Sequence, residues 1–296
     1  MYRKKVAMRH ILVTGMPRSG TTPVGEMLTK SSHWPELYEP LSNAVGDRRV
    51  QNWFIFTNEL MQSEHLLEDI IAGRIQPSRR KETRKKRGVL NRTSFSCLRR
   101  RYLPSFAEGI VWKDPFAFFL LPELTVEPQV SSLVTVRAPI EACGSFSRMN
   151  WALDINDLRR RAVEAGIDLP NTHYSSAPVS PATSAAELWH LMHTVLLSWL
   201  RENMRVTVID TGENLRAPYQ FAEKLSHFSG LDITAQKLTD SPNSKKLPDK
   251  AHIRKRSKDS ISNLWKNQLS KVEIDYCHAL NNDLWMELQP YFWREF

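Results

Sequence analysis

A short apolar run, His10-Ile11-Leu12-Val13-Thr14, leads directly into Gly15-Met16-Pro17-Arg18-Ser19-Gly20-Thr21-Thr22. A helical pattern with Val24, Met27 and Leu28 on one face follows. No other feature constrains the fold as much. Strand, glycine-bracketed turn and helix start together aim backbone N–H groups and the positive helix end at an anion. Glycine permits close backbone approach, and the Thr21 and Thr22 hydroxyls add donors. The spacing is that of a Walker A loop with Thr21 where that motif carries lysine. The cation has moved to Arg18, inside the loop. Such a loop suits a single 5′-phosphate bearing a transferable group better than a triphosphate with its metal. The bland alternative is a glycine turn at a helix start with Arg18 in solvent.

Two further β-like runs, Gly109–Lys113 and Ser132–Arg137, each precede a proline, Pro115 and Pro139, well placed at the first turn of a helix. A fourth strand, Arg205–Asp210, follows an amphipathic helix over Ala185–Asn203. Strands alternating with helices predict an α/β fold, a central parallel sheet flanked by helices on both faces. We read residues 1–296 as one domain. Two stretches break the alternation, about 42–108 and 151–186, and are expected as insertions over the sheet on the acceptor side. From Ser257 to about 290, two amphipathic helices are expected, the first with Leu264, Trp265 and Leu269, the second with Ile274, Leu280, Leu284 and Trp285.

The chain has 296 residues, 41% of them apolar, enough for one large core. Its net charge of +9 is concentrated: Arg74 to Arg101 holds twelve Lys or Arg against Glu82 alone, a local +11 that leaves −2 elsewhere. Three scattered cysteines, Cys97, Cys143 and Cys277, show no metal-ligand spacing and no disulfide framework. The basic start lacks a secretory apolar core, and the longest apolar stretch, Leu188–Leu200, is too short to span a bilayer. A soluble, cytoplasmic protein is the expectation.

Pro17-Arg18-Ser19-Gly20-Thr21-Thr22 resembles the 5′-phosphosulfate loop of sulfotransferases that use PAPS (3′-phosphoadenosine-5′-phosphosulfate). The resemblance puts Arg18 where the family's Lys or Arg contacts the bridging and sulfuryl oxygens. It departs at Pro23, where some members carry a Trp that stacks on adenine. Arg137 at a strand end, with Ser145 eight residues on, is similar to the family's 3′-phosphate site, where the guanidinium fork and the hydroxyl would hold that phosphate. Weaker likenesses are Glu213-Asn214-Leu215-Arg216-Ala217-Pro218, with Gly212 in place of a frequent Tyr, and the basic pair Arg254 and Arg256 ahead of Trp265. The resemblance implies a P-loop-type sheet, PAPS as donor, no metal, and a hydroxyl-bearing acceptor.

Sulfuryl transfer requires positioning, cations on developing oxygen charge, and a base. Lys113, at a strand end, is the second cation after Arg18. Relatives acting on small hydroxyl compounds often carry His where this chain has Pro115. The expected base is therefore Glu39, in Leu37-Tyr38-Glu39-Pro40-Leu41, similar to a Glu-Pro segment of carbohydrate sulfotransferases. That likeness leans toward a saccharide or polysaccharide acceptor, possibly anionic. Asp114 is the rival base; its plainer role is a cap or a partner of Lys113. His190 and His193 read as core residues, not metal ligands.

Two other functions compete. A P-loop kinase needs the lysine at position 21 and an acidic magnesium ligand, a place that Asp210 at a strand end could take. A polyanion-binding role rests on the 74–101 segment, whose few aromatics, Phe95 and nearby Tyr102, give little for base stacking, so no nucleic-acid partner is expected.

Overall fold

Five strands share one sheet: β1 (Arg9–Gly15), β2 (Glu36–Tyr38), β3 (Gly109–Lys113), β4 (Val130–Val136) and β5 (Thr207–Asp210). The computed structural model describes residues 8–32, 34–61, 63, 65–72, 74–76, 108–169, 180–233 and 263–294. The strand order is β2-β3-β1-β4-β5, and every pairing is parallel. All five carboxyl ends therefore open on one edge, with β1 central.

Period-two alternation assigns each strand residue to one face. Ile11 and Val13 of β1, Val111, Leu133 and Ile209 pack against Val24, Met27 and Leu28 of α1 (Thr21–Ser32) and against Phe221, Ala222 and Leu225 of a later helix. Their neighbours Leu12, Ile110, Trp112, Val134, Val136 and Val208 face the opposite layer. Chain connections contribute α2 (Thr57–Leu60), α3 (Leu66–Ile71), and α4 (Leu121–Thr125) after a 3₁₀ turn at Pro115–Leu120. The second layer is α5 (Pro139–Met149), α7 (Pro181–Arg201) and α10 (Lys271–Leu288), reached through α6 (Ile155–Glu164), α8 (Thr211–Arg216) and α9 (Pro218–Ser229). The parallel sheet covered on both faces is the expected α/β architecture.

Several boundaries move. α7 begins at Pro181, four residues before Ala185, because Ser180 and Thr183 cap it reciprocally, Ser180 Oγ accepting from Thr183 N–H at 3.2 Å. β5 begins two residues after Arg205, since Met204 and Val206 close a tight turn first. β2 is a strand the sequence pattern did not announce: three residues on a sheet edge leave no alternation to read. At the carboxyl end, the first of the two expected helices is, among the described residues, only a 3₁₀ turn, Leu264–Asn267, while the second is α10. Trp265 instead packs on Gly144 of α5, where a Cβ would lie 2.6 Å from the Trp265 Cβ.

The described parts of the two stretches that broke the alternation pack on each other. Arg161 of α6 donates from Nη1 to the Trp53 carbonyl (3.1 Å), from Nη2 to the Phe54 carbonyl (2.9 Å), and from Nε to Glu59 (2.8 Å). Most of the 74–101 segment lies outside the described residues, as do Arg254 and Arg256. Cys143 and Cys277, distant in sequence, meet between α5 and α10 with sulfurs 3.4 Å apart, both buried and both free thiols. His193 is a core residue: it stacks on Trp189 with ring centroids 4.0 Å apart, and burial pushes its pKa down to about 4.

Candidate functional site

Gly15 and Gly20 adopt φ of 141° and 103°, a region glycine enters without cost. Each is also closely covered: a Cβ at Gly15 would collide with the Thr135 carbonyl, and one at Gly20 would lie 2.8 Å from Thr211 Cγ2. Strand β4 and the first residue of α8 (Thr211–Arg216), directly after β5, thus brace the loop. Ser19 Oγ and Thr135 Oγ1 share a 2.6 Å hydrogen bond, and the Thr211 hydroxyl bonds the Ser19 carbonyl at 2.6 Å. Thr21 opens α1 buried and Thr22 is half-buried, both at the helix end aimed at the loop.

Arg18, inside this loop, holds φ 73°, a left-handed conformation uncommon for a residue with a Cβ. Its Nε donates to Ser145 Oγ at 3.0 Å, and its guanidinium carbon lies 5.9 Å from the Trp151 ring centre. One strand over, Lys113 ends β3 with its side chain only 3% exposed. Its ammonium pairs with the Glu39 carboxylate and lies 4.5 Å from the Tyr38 ring centre. Glu39 itself holds φ 47° and donates its N–H to the Lys113 carbonyl at 2.8 Å. Two strand ends, β2 and β3, are thereby tied at the residues carrying opposite charge.

Asp114 is fully buried. One carboxylate oxygen accepts from Leu41 N–H (2.7 Å) and the other from Phe116 N–H (2.9 Å). It therefore caps the 3₁₀ turn and pins the Glu39-Pro40-Leu41 corner. Burial, the largest influence, pushes its pKa up to about 7 against the two amide hydrogen bonds that favour the charged form.

The model of the sulfotransferase family matches residues 10–232, three quarters of the chain and every site residue just described. The chain belongs to the sulfotransferase family. Among solved structures it is similar to the sulfotransferase domain of the olefin synthase of Synechococcus PCC 7002, at 13% identity over 94% of this chain and 96% of that one, TM-score 0.46. It is also similar to the sulfotransferase domain from the curacin biosynthetic pathway, at 17% identity over 93% and 98%, TM-score 0.47. A third is sulfotransferase STF9 from Mycobacterium avium, at 14% identity over 94% and 76%, TM-score 0.42. No curated protein sequence matches significantly.

Within this sulfotransferase, Pro17, Arg18, Ser19, Gly20, Thr21 and Thr22 form one cradle, and Glu39, Lys113 and Asp114 cluster at the neighbouring strand ends. Ser145 joins the cradle through Arg18 and is not hydrogen-bonded to Arg137. Arg137 stands at the end of β4, but its Nε bonds Glu141 one helical turn on, at 2.8 Å. Glu213, in the expected acidic segment, accepts from Trp293 Nε1 at 2.7 Å and pairs with Lys224, and so ties the chain end to α8. Asp210, the residue that kept a kinase in view, caps α8 through Gly212 N–H and pairs with Arg216. Among the described residues no group of three His, Cys, Asp or Glu is arranged to hold a metal ion, and no helix is long and apolar enough to cross a membrane.

Sequence reasoning overlooked Trp151, Thr135, Thr211 and Tyr38. A hydroxyl amid the apolar residues of β4 was the available signal for Thr135, and a Thr directly after a strand-end Asp the signal for Thr211. Nothing in the local sequence placed Trp151 beneath Arg18.

Proposed function

We propose that this chain transfers a sulfuryl group from PAPS to a hydroxyl of a saccharide. The observation carrying the proposal is the convergence, at adjacent carboxyl ends of β1, β3 and β2, of an anion cradle containing Arg18 with the paired Lys113 and Glu39. In this reading the loop Pro17–Thr22 holds the 5′-phosphosulfate, with Arg18 at the bridging oxygen. Arg137 and Ser145 grip the 3′-phosphate, Arg137 exchanging its Glu141 partner for the ligand or sharing it. Arg254 and Arg256 would close over the same phosphate. The acceptor oxygen attacks sulfur, the bond from sulfur to the bridging phosphate oxygen breaks, and the acceptor proton passes to Glu39. Sulfated acceptor and 3′,5′-bisphosphoadenosine leave. Lys113 fixes the Glu39 carboxylate and offers positive charge near the transferring group. Asp114, buried with both oxygens occupied by backbone amides, is a positioning residue and not the base.

The acceptor side is supported by a cavity of about 220 Å³ between the two packed insertions, lined by Asn43, Asn52, Trp53, Asp154 and Asp157 among others. Trp53 meets Trp151 edge to face at 6.3 Å and Phe116 at 5.2 Å, which connects the cavity to Arg18 and to the Asp114 turn. Amide and carboxylate side chains around an indole suit a hydroxyl-rich ring. Arg161 also lines the cavity and Asp157 is paired with Arg160 and Arg161, so the lining is close to charge-balanced and suits a neutral sugar. A whole-chain single domain and a cytoplasmic location complete the proposal.

The test is transfer of labelled sulfate from PAPS to a panel of soluble neutral, cationic and acidic oligosaccharides, with magnesium-ATP as a control donor. Sulfation of a neutral sugar supports the proposal. Phosphorylation from ATP, or transfer only to non-sugar hydroxyls, defeats it.

A further inference from the structure

A nucleoside bound through its phosphates at this loop has to set its base somewhere beside it, and a purine needs a flat surface. Pro23, directly after the phosphate loop, is exposed and offers no aromatic ring. On the other wall of the loop, Thr211 touches Gly20, and the next residue, Gly212, has no side chain. The space a side chain at 212 would occupy is filled by Arg216: its Nη1 lies 2.6 Å, and its Cζ 3.5 Å, from where a Gly212 Cβ would be.

Arg216 is held there. Its guanidinium pairs with Asp210, whose other oxygen accepts from Gly212 N–H at 2.8 Å, so the strand end, the glycine and the guanidinium form one unit. The Arg216 side chain is nonetheless 65% exposed, leaving a planar, weakly hydrated cation open to solvent beside the cradle. The opposite wall belongs to Lys113 and Glu39, so a nucleoside leaving the loop toward Arg137 on β4 passes on the Arg216 side.

We propose that the Arg216 guanidinium, laid over Gly212 and fixed by Asp210, is the plate on which the donor's adenine stacks. The inference rests on PAPS being the donor. Guanidinium planes stack on bases through both π contact and cation–π attraction, and neither needs the base's hydrogen-bonding edge.

The experiment measures calorimetric binding of two probes, 3′,5′-bisphosphoadenosine and the base-free ribose 3,5-bisphosphate, to the full chain and to Arg216→Ala, Arg216→Lys and Arg216→Tyr. The wild-type chain should bind the nucleotide more tightly than the base-free probe. Arg216→Ala should weaken nucleotide binding by about tenfold, within the range for losing one stacked base, while base-free binding changes less than twofold. Tyr should restore most of the loss, and Lys, charged without a plane, should not. An equal loss for both probes would show a purely electrostatic Arg216 and overturn the proposal, as would full retention in Arg216→Ala. If the wild-type chain binds both probes equally, the donor reading stands and the plate falls. If it binds neither, the donor reading itself falls and this inference with it. The Tyr variant keeps the plate while removing the pair with Asp210, so a fold damaged by losing that pair would show as weakened binding of both probes in Ala and Tyr alike, and that too counts against stacking.

Discussion

Glu39→Gln isolates the base from its surroundings. The amide keeps the carboxylate's shape, and its oxygen still accepts from Lys113, but it takes no proton. Removing general-base help costs about 10²–10⁴-fold in turnover, so a fall of on the order of a hundredfold or more is expected in kcat. A second effect comes from Lys113, which is 3% exposed and pairs with Glu39. Stripping the partner from a buried charge costs about 3–5 kcal/mol; the retained amide oxygen and the Tyr38 ring, 4.5 Å from the ammonium, bring the expected loss below that range. Stability therefore falls while the fold persists. Turnover is measured with saturating PAPS and the best acceptor, well below the melting transition, and normalised to sites that bind 3′,5′-bisphosphoadenosine. Donor affinity should change little, because the proposed base faces the acceptor and not the bisphosphate. Turnover of Glu39→Gln within a few-fold of wild type would refute the assignment. Collapse in Asp114→Asn alone would move the base to a residue the geometry places out of reach.

Other consequences are as direct. Arg137→Ala should weaken 3′,5′-bisphosphoadenosine by about 1.5–3 kcal/mol, as for a hydrogen bond to a charged group, and adenosine 5′-phosphate far less; titration of both ligands checks it, and equal losses would remove Arg137 from the 3′-phosphate site. Asp114 has a folded pKa of about 7, raised from 3.8, so the folded chain holds the extra proton between those values. Its contribution to stability is then fully present below about pH 4 and is lost as pH rises through about 7. Asn carries the neutral form's shape and does not titrate, so the denaturation midpoints of wild type and Asp114→Asn should be most alike near pH 4 and diverge toward neutral pH as wild type falls; a constant difference would contradict the burial argument. EDTA should leave turnover unchanged, since Thr21 replaces the lysine of the magnesium-binding loop; activity lost to EDTA and restored by magnesium would revive a kinase-like mechanism.

What the sequence disclosed depended on how locally each feature is encoded. The phosphate loop was legible because strand, glycines and helix start are contiguous, and its backbone torsions are those that Gly15 and Gly20 allow. The sheet was legible because its central strands are uninterrupted apolar runs, whereas three-residue β2 carried no period. Leu264, Trp265 and Leu269 have helical spacing, yet the described residues around them form no α-helix. The described chain there makes one 3₁₀ turn, since Trp265 is seated against the bare Gly144 on α5 and the α10 cap at Ser270 follows at once. Tertiary packing overrode the periodicity.

The site shows the same division more sharply. Arg18, Lys113 and Glu39 were found as residue types at strand ends, but their relations are tertiary. Ser145 lies eight residues beyond Arg137, and the family resemblance pairs the two; in the fold its hydroxyl turns to Arg18, 127 positions away. One serine therefore connects the loop that would hold the sulfated end of the donor to the helix that follows the Arg137 strand end. If Arg137 binds a 3′-phosphate at the start of that helix, any displacement of α5 passes through Ser145 to the cation at the bridging oxygen. Ser145→Ala should then affect turnover as well as donor affinity, whereas a residue that only binds the 3′-phosphate would change affinity alone. Steady-state kinetics at saturating PAPS separates the two: a kcat indistinguishable from wild type would show that Arg18 holds its position without Ser145.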